Sequence, residues 1–278
     1  MTVSDKAFLM RSGAGALEVS HVAGQSAVVS CSSSSPVKIL APRSRDKSVW
    51  AYLSSFGGGM VGGDHTQIDI IVNERARCFF STQASTKIYR NTVGYPCSQT
   101  MSAQLAAQSL LVLFPDVLQP FANGSYSQKQ HFHLDPGASL VLVDWFSAGR
   151  VARGERWSFR RFESRTEISF GTESVFRDSL LLDPAFAAGS PPMGRYNCVA
   201  LVVMVGGLLT EIAEREAQRI STLSVEHRAQ TIESASRIRE GVVLRIASLT
   251  VEEVANKIQD YLKDLVPLLG DAPWKRKW

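Results

Sequence analysis

Apolar positions along the chain come in two patterns. The first alternates strictly: Ile68, Ile70 and Val72 share one face while Gln67, Asp69 and Ile71 share the other, the two-residue period of a half-buried strand. The second is nearly continuous, as in residues 77–82, 110–114, 140–143 and 199–205, which predicts strands covered on both faces. Short turns join an alternating segment to a continuous one at 72–78, 105–110 and 134–140, so the same junction returns roughly every 30 residues. This repetition predicts stacked β-hairpins in layers, a β-helix-like body. Further strands are read at residues 26–30, 37–41 and 49–53, separated by turns or loops at 31–36 and 42–46. Later strands fall at 157–168 and 175–182, and a Gly/Pro-rich loop at 189–192 leads into the segment at 199–205.

After residue 206 the period changes. Leu208, Ile212, Glu216 and Ile220 fall on helical spacing with charge between them. A second helix is marked by a capping box, Thr250 with Glu253, and by Val251, Val254, Ile258, Leu262 and Leu265 before Pro267, which is read as its stop. Residues 242–247 form a strand between the two helices. The fold class is therefore mostly β with two α-helices in the C-terminal half. One domain spans 1–278, with a β body over about 20–206 and a helix-containing part over about 207–278.

Composition adds little but excludes much. The chain has 278 residues, 45% hydrophobic and 20% charged, as a folded protein with a sizeable core requires. The excess of 30 basic over 26 acidic residues gives +4, too modest to indicate a nucleic-acid partner, and the basic tail 274–278 is short. No run approaches the roughly 20 apolar residues of a membrane span, and the first 16 residues lack a secretory pattern. Cys31, Cys78, Cys97 and Cys198 lie far apart with no CxxC pair, which fits a reducing, cytoplasmic compartment.

The most unusual stretch is 57–90. Gly57, Gly58, Gly59, Gly62 and Gly63 precede Asp64 and His65, and the second strand after them runs into Ser85, Thr86, Lys87, Tyr89 and Arg90. Glycines here suit tight turning or a close crossing of chains. They match neither GxGxxG nor a P-loop, and no helix pattern follows, so no nucleotide site is expected. The GGGxxGGD segment followed by STQASTKxYR resembles the urease accessory protein D family, also called H. GRxxRGE at 149–155 and the PW ending also match, whereas the first 45 residues and 221–240 carry no matching motif. Asp144-Trp145-Phe146 and the insertion-like segment 221–240 look closer to eukaryotic, fungal-like members. The resemblance implies a non-catalytic scaffold that binds apo-urease and accessory protein F, receives nickel from the GTPase accessory protein G, and carries the ion through a wet internal passage.

On the residues alone, a turn cap at Asp64 and a hydrogen bond from His65 outweigh a metal site, because two adjacent residues are too few for tight binding. The resemblance makes Asp64, His65, Asp69, Asp144 and Glu155 candidates for a transient nickel path, with Ser85 and Thr86 as neutral oxygens. A conduit binds weakly by design, since four good ligands would hold the ion. Lys87, Tyr89, Arg90 and Arg150 repel or ignore a cation and fit pairing or partner contact. A different class of function, a metal-dependent hydrolase, would use Asp64, His65, His131 and His133, the last two sharing one strand face.

Overall fold

The computed structural model describes residues 12–42, 46–183, 193–224, 226 and 228–275. The loop at 189–192, much of the turn at 42–46 and the last three residues of the basic tail lie outside them. The chain begins with β1 (Ser12–Val22), β2 (Gln25–Ser33), β3 (Val37–Leu40), β4 (Val49–Ser55), β5 (Gly59–Met60) and β6 (His65–Val72). It continues with β7 (Arg77–Thr82), β8 (Lys87–Ile88), β9 (Cys97–Leu105), β10 (Leu110–Phe114), β11 (Gln119–Pro120) and β12 (Ser125–Leu134). Next come β13 (Ser139–Ser147), β14 (Arg161–Phe170), β15 (Glu173–Leu182) and β16 (Cys198–Gly206). The C-terminal part holds α1 (Thr210–Ser221), β17 (Thr231–Ile238), β18 (Gly241–Ser248), α2 (Val251–Leu262) and the single turn α3 (Val266–Leu269).

 

The three-turn helices α1 and α2 and the β-helix-like body are those expected from the pattern, and α3 covers Val266–Leu269.

The pairing refines one local expectation. The two strands of each repeating unit do not pair with each other as a hairpin; they arch between sheets, and each pairs with its equivalent one coil away. Four coils run β4-β5-β6, β7-β8-β9, β10-β11-β12 and β13-β14. The result is a three-sided solenoid with parallel ladders β6-β9-β12-β14, β4-β7-β10-β13 and β5-β8-β11. In-register stacking explains the sequence period: Val72 pairs with Leu105 and Leu105 with Leu134. β1 adds to β6 in parallel, and antiparallel strands complete the ends of the two large sheets, which have seven and eight strands.

The two apolar patterns follow from what covers each sheet. The eight-stranded sheet packs one face on the seven-stranded sheet and the other on the helices. Leu111 and Leu113 of β10 enter the inter-sheet core, while Leu110, Val112 and Phe114 enter the helix-side core. Every position of such a strand is apolar because neither face meets water. The outer face of the seven-stranded sheet is bare, so β6 and β12 alternate.

Several boundaries differ from the sequence reading. Residues 31–33, expected in a loop, complete β2, an edge strand whose polar side chains are exposed on both faces. Residues 12–22 form β1, which has little apolar signal because Gly13 and Gly15 occupy inward positions. A Cβ on Gly13 would lie 2.8 Å from Pro36 Cδ, and one on Gly15 would lie 3.0 Å from Ile39 Cδ1, so tight packing replaces side-chain burial there. The strand expected from residue 157 begins only at Arg161, because buried Trp157 has a left-handed backbone, φ 53°. Segment 221–240 contains β17, paired antiparallel with β18. Pro267 does not end helical structure: it sits in the first turn of α3, where its missing N–H has no helical partner to lose.

Candidate functional site

The glycine-rich segment forms one corner of the solenoid. Gly57, Gly58 and Gly63 have φ of 85°, 68° and 88°, which glycine alone adopts without strain. Gly59 and Gly62 instead permit close approach. A Cβ on Gly59 would strike the Lys87 carbonyl and lie 2.9 Å from Lys87 Cβ; one on Gly62 would lie 2.6 Å from Asn91 Oδ1. Asp64 closes the turn, with its Oδ2 accepting from Val61 N–H at 2.9 Å, and His65 Nδ1 lies 2.9 Å from Ser98 Oγ.

The matched motif residues beyond it brace the third side of the coils. The Tyr89 hydroxyl donates to the Gly57 carbonyl at 2.9 Å, and its ring meets Phe121 edge-on at 5.4 Å. The Arg150 guanidinium lies 4.1 Å over the Phe121 ring and forms a bidentate pair with Glu155, whose Oε2 also accepts from Ala122 N–H. That pair, chiefly its hydrogen bond, holds the Glu155 carboxyl below its ordinary range, with Arg90 adding to the effect. Lys87 lies in β8 of the small sheet.

Between the two large sheets, the parallel register creates rows of inward side chains. Thr66, Gln99, Gln128 and Ser164 form one row across β6, β9, β12 and β14. The adjacent row is Ile68, Met101, Gln130 and Thr166, and the next two rows are apolar throughout. The interior is therefore polar along one edge, mixed in the next row and apolar beyond it. At ~4.8 Å between strands, the polar row spans about 14 Å.

Three cavities follow this row and share lining residues. The first, about 160 Å³, lies beside the glycine corner and includes Ser85, Thr86, Thr82 and Gln99. The second, about 40 Å³, is lined by Thr82, Thr86, Gln99, Gln128, Asp116 and Asp144. The third, a cleft of about 380 Å³, begins at Asp144 and Ser164 and reaches Asp178, Glu233 and Arg245. Asp144 is the acid common to the second and third. Its Oδ2 accepts from Gln128 Nε2 at 2.6 Å and from Ser164 Oγ at 3.0 Å. Burial raises its pKa, these two bonds oppose the rise, and Asp178 adds to it.

At the far wall of the cleft, burial alone would raise Glu233, but bonds from Lys257, Tyr261 and Arg219 hold it below its ordinary value. Burial pushes the thiols of Cys78, Cys97 and Cys198 up to about 12, with the Asp64 charge contributing at Cys97.

Of the residues singled out by sequence, Ser85, Thr86 and Asp144 line these cavities. Asp64 and His65 occupy the adjoining turn and strand start. Asp69 is on the outer face of the seven-stranded sheet, where Gln67 Nε2 donates to it at 2.9 Å, and Glu155 is on the third side. His131 and His133 share the outer face, 3.9 Å from Glu167 and 3.3 Å from Ser169 Oγ respectively. Among the described residues no three His, Cys, Asp or Glu side chains come close enough to hold a metal ion, and the four residues of the hydrolase reading are not brought together. The structure adds Thr66, Thr82, Gln99, Asp116, Gln128 and Ser164. A signal for Gln128 and Gln130 existed: they share the alternating phase of Tyr126, Phe132 and Leu134, polar groups where the strand pattern calls for core.

Comparison with known proteins gives a consistent match. The family model described as "UreD urease accessory protein" matches residues 11–278. Urease accessory protein UreD of Sorangium cellulosum is 40% identical over 269 residues, covering 96% of this chain and 85% of the relative. Urease accessory protein D of Arabidopsis thaliana is 33% identical over 291 residues, covering 94% of this chain and 99% of the relative. A urease accessory protein ureD-like chain of Schizosaccharomyces pombe is 27% identical over 263 residues, covering 87% and 91%.

Proposed function

The chain belongs to the UreD urease accessory protein family, and from that premise we propose that it conducts nickel to apo-urease while scaffolding the assembly that delivers it. Accessory protein F docks on this chain, and the GTPase accessory protein G joins through F. The chain itself performs no chemistry. Its working compartment is the cytoplasm, and no helix among the described residues is long and apolar enough to cross a membrane.

One observation carries this reading: consecutive cavities share lining residues from the Ser85–Thr86 corner to the cleft at Asp144, and their walls supply amide, hydroxyl and carboxylate oxygens. Such oxygens suit a hydrated divalent ion. Spaced along a line instead of gathered around one point, they favour successive weak contacts and onward movement. Nickel is the cargo here.

The test is urease activation in cells lacking this protein, complemented with the intact chain or with Asp144→Ala or Asp64→Ala, with the partners recovered in parallel by pull-down. Asp144→Ala should leave partner recovery intact while urease lacks nickel. Normal activation by that variant would remove Asp144 from the path, and failure of the intact chain to restore activity would remove the functional reading. Asp64→Ala separates a role in delivery from turn closure, since loss of the turn alone lowers stability and partner recovery together.

A further inference from the structure

The passage narrows where Gln128 lies. The central cavity is about 40 Å³, room for a water or two, against about 160 and 380 Å³ on either side. Gln128 is buried and reaches across this point, its Nε2 donating to Asp144 Oδ2 at 2.6 Å and to Ser164 Oγ at 2.8 Å. Its Oε1 accepts from the Tyr126 hydroxyl at 3.2 Å. With the Tyr126 hydroxyl donating to Oε1 and Asp144 Oδ2 accepting from Nε2, the amide is set with its N–H groups toward Asp144. The narrowest point therefore presents hydrogen-bond donors, the wrong end of a dipole for a cation.

Resting on the nickel-conducting reading above, we propose that Gln128 is the gate of the passage: its carboxamide closes the route between the central cavity and the Asp144 cleft, and a half-turn of that amide opens it. Turning exchanges the two ends. Oε1 then faces Asp144 and Ser164, so a divalent ion between them meets amide, carboxylate and hydroxyl oxygens together. Nε2 then faces Tyr126, whose hydroxyl accepts as readily as it donates. The turned amide keeps a bond to Tyr126, but its Oε1 then meets the Asp144 oxygen at the distance the N–H now spans, so that position is held only while a cation lies between the two oxygens. The ion itself selects the open position, because only that position adds the amide oxygen to those of Asp144 and Ser164 and turns the N–H groups away. A neutral amide also keeps the site weak: a second carboxylate at residue 128 would face Asp144 and turn a relay point into a chelate.

The experiment uses the full chain, with its copurifying partners, and nickel ions alone as the probe. Gln128→Glu should retain about one nickel per chain through desalting, where the native chain retains none, and should slow urease activation at least tenfold. Adding Asp144→Asn to Gln128→Glu should abolish that retention. Gln128→Met keeps the length without either polar atom and should lower urease activation roughly tenfold, the usual scale for losing a group that orients a metal contact, with its thermal midpoint near that of the native chain. Retention by Gln128→Glu no greater than native, or normal activation by Gln128→Met, overturns the gate. Asp144→Asn alone keeps the two ideas distinguishable: if it impairs activation while the Gln128 variants behave as native, the gate fails and the passage stands; if it too activates urease normally, the passage reading fails.

Discussion

Replacing Asp144 with asparagine should make the protein more stable and less useful. The carboxylate lies between the two large sheets, where burial raises its pKa above the ordinary 3.8, and its charge is reinforced in that direction by Asp178. Unfolded, the side chain loses its proton near the ordinary value; folded, it keeps the proton to a higher pH. Stability therefore falls as pH rises through that window and remains reduced above it. Asparagine has no proton to lose, and its oxygen can take the place of Oδ2, accepting from Gln128 and Ser164. The expected gain is about 1 kcal/mol at neutral pH, the scale of one imperfectly compensated buried polar group. That corresponds to a thermal midpoint roughly 2–4 °C higher for a chain of this size. Differential scanning calorimetry at about pH 8 and about pH 4.5 measures it: the advantage of the variant should be larger at the higher pH, the direction linkage requires. A variant less stable than the native chain at both values would refute the argument, and would mean that the two hydrogen bonds outweigh the cost of burial.

Four other substitutions test the backbone, the packing and the Glu233 ion pairs. Gly57→Ala, with nothing near its Cβ, should cost about 1–2 kcal/mol from left-handed strain alone, whereas Gly59→Ala must displace β5 from β8 and should also accelerate hydrogen exchange at the Tyr89 N–H, which donates to the Met60 carbonyl. Leu111→Ala, at a site with no exposed surface, should cost about 2–5 kcal/mol in chemical unfolding. Glu233→Gln should cost roughly 2 kcal/mol, the lower range because Lys257 and Arg219 both reach solvent. Since the folded state lowers the Glu233 pKa below 4.5, its contribution is present above that value and lost as pH falls through the folded one, so the native and variant unfolding curves should converge in acid.

The coil repeat was legible because one physical cause, burial on one face or on two, writes a different pattern into each strand. What could not be read was which strands pair: a turn at 73–76 looks the same whether the chain folds back as a hairpin or arches to another sheet. β1 was hidden because its inward positions are glycines at 13 and 15, and β17 because an edge strand with Glu233, Ser234 and Ser236 has little apolar contrast. Candidate acids were chosen by residue type, which gathered Asp144 from between the two large sheets together with Asp69 from an outer face and Glu155 from the third side. The neutral residues of the polar row were missed because serine and threonine carry no signal until register places them side by side, and Gln128 and Gln130, though on the core-facing phase of their strand, do not by themselves say what they face.

That row has a consequence for how the protein can change. Its walls are two sheets whose hydrogen bonds run along the row, so the ladders fix the spacing of successive side chains while the side chains packed between the sheets hold them apart. Width is set by side chains alone, and length by the number of coils, in steps of about 4.8 Å. A lineage could retune the chemistry of the row by exchanging one residue per strand, leaving the frame untouched, and could lengthen the row by duplicating some 30 residues.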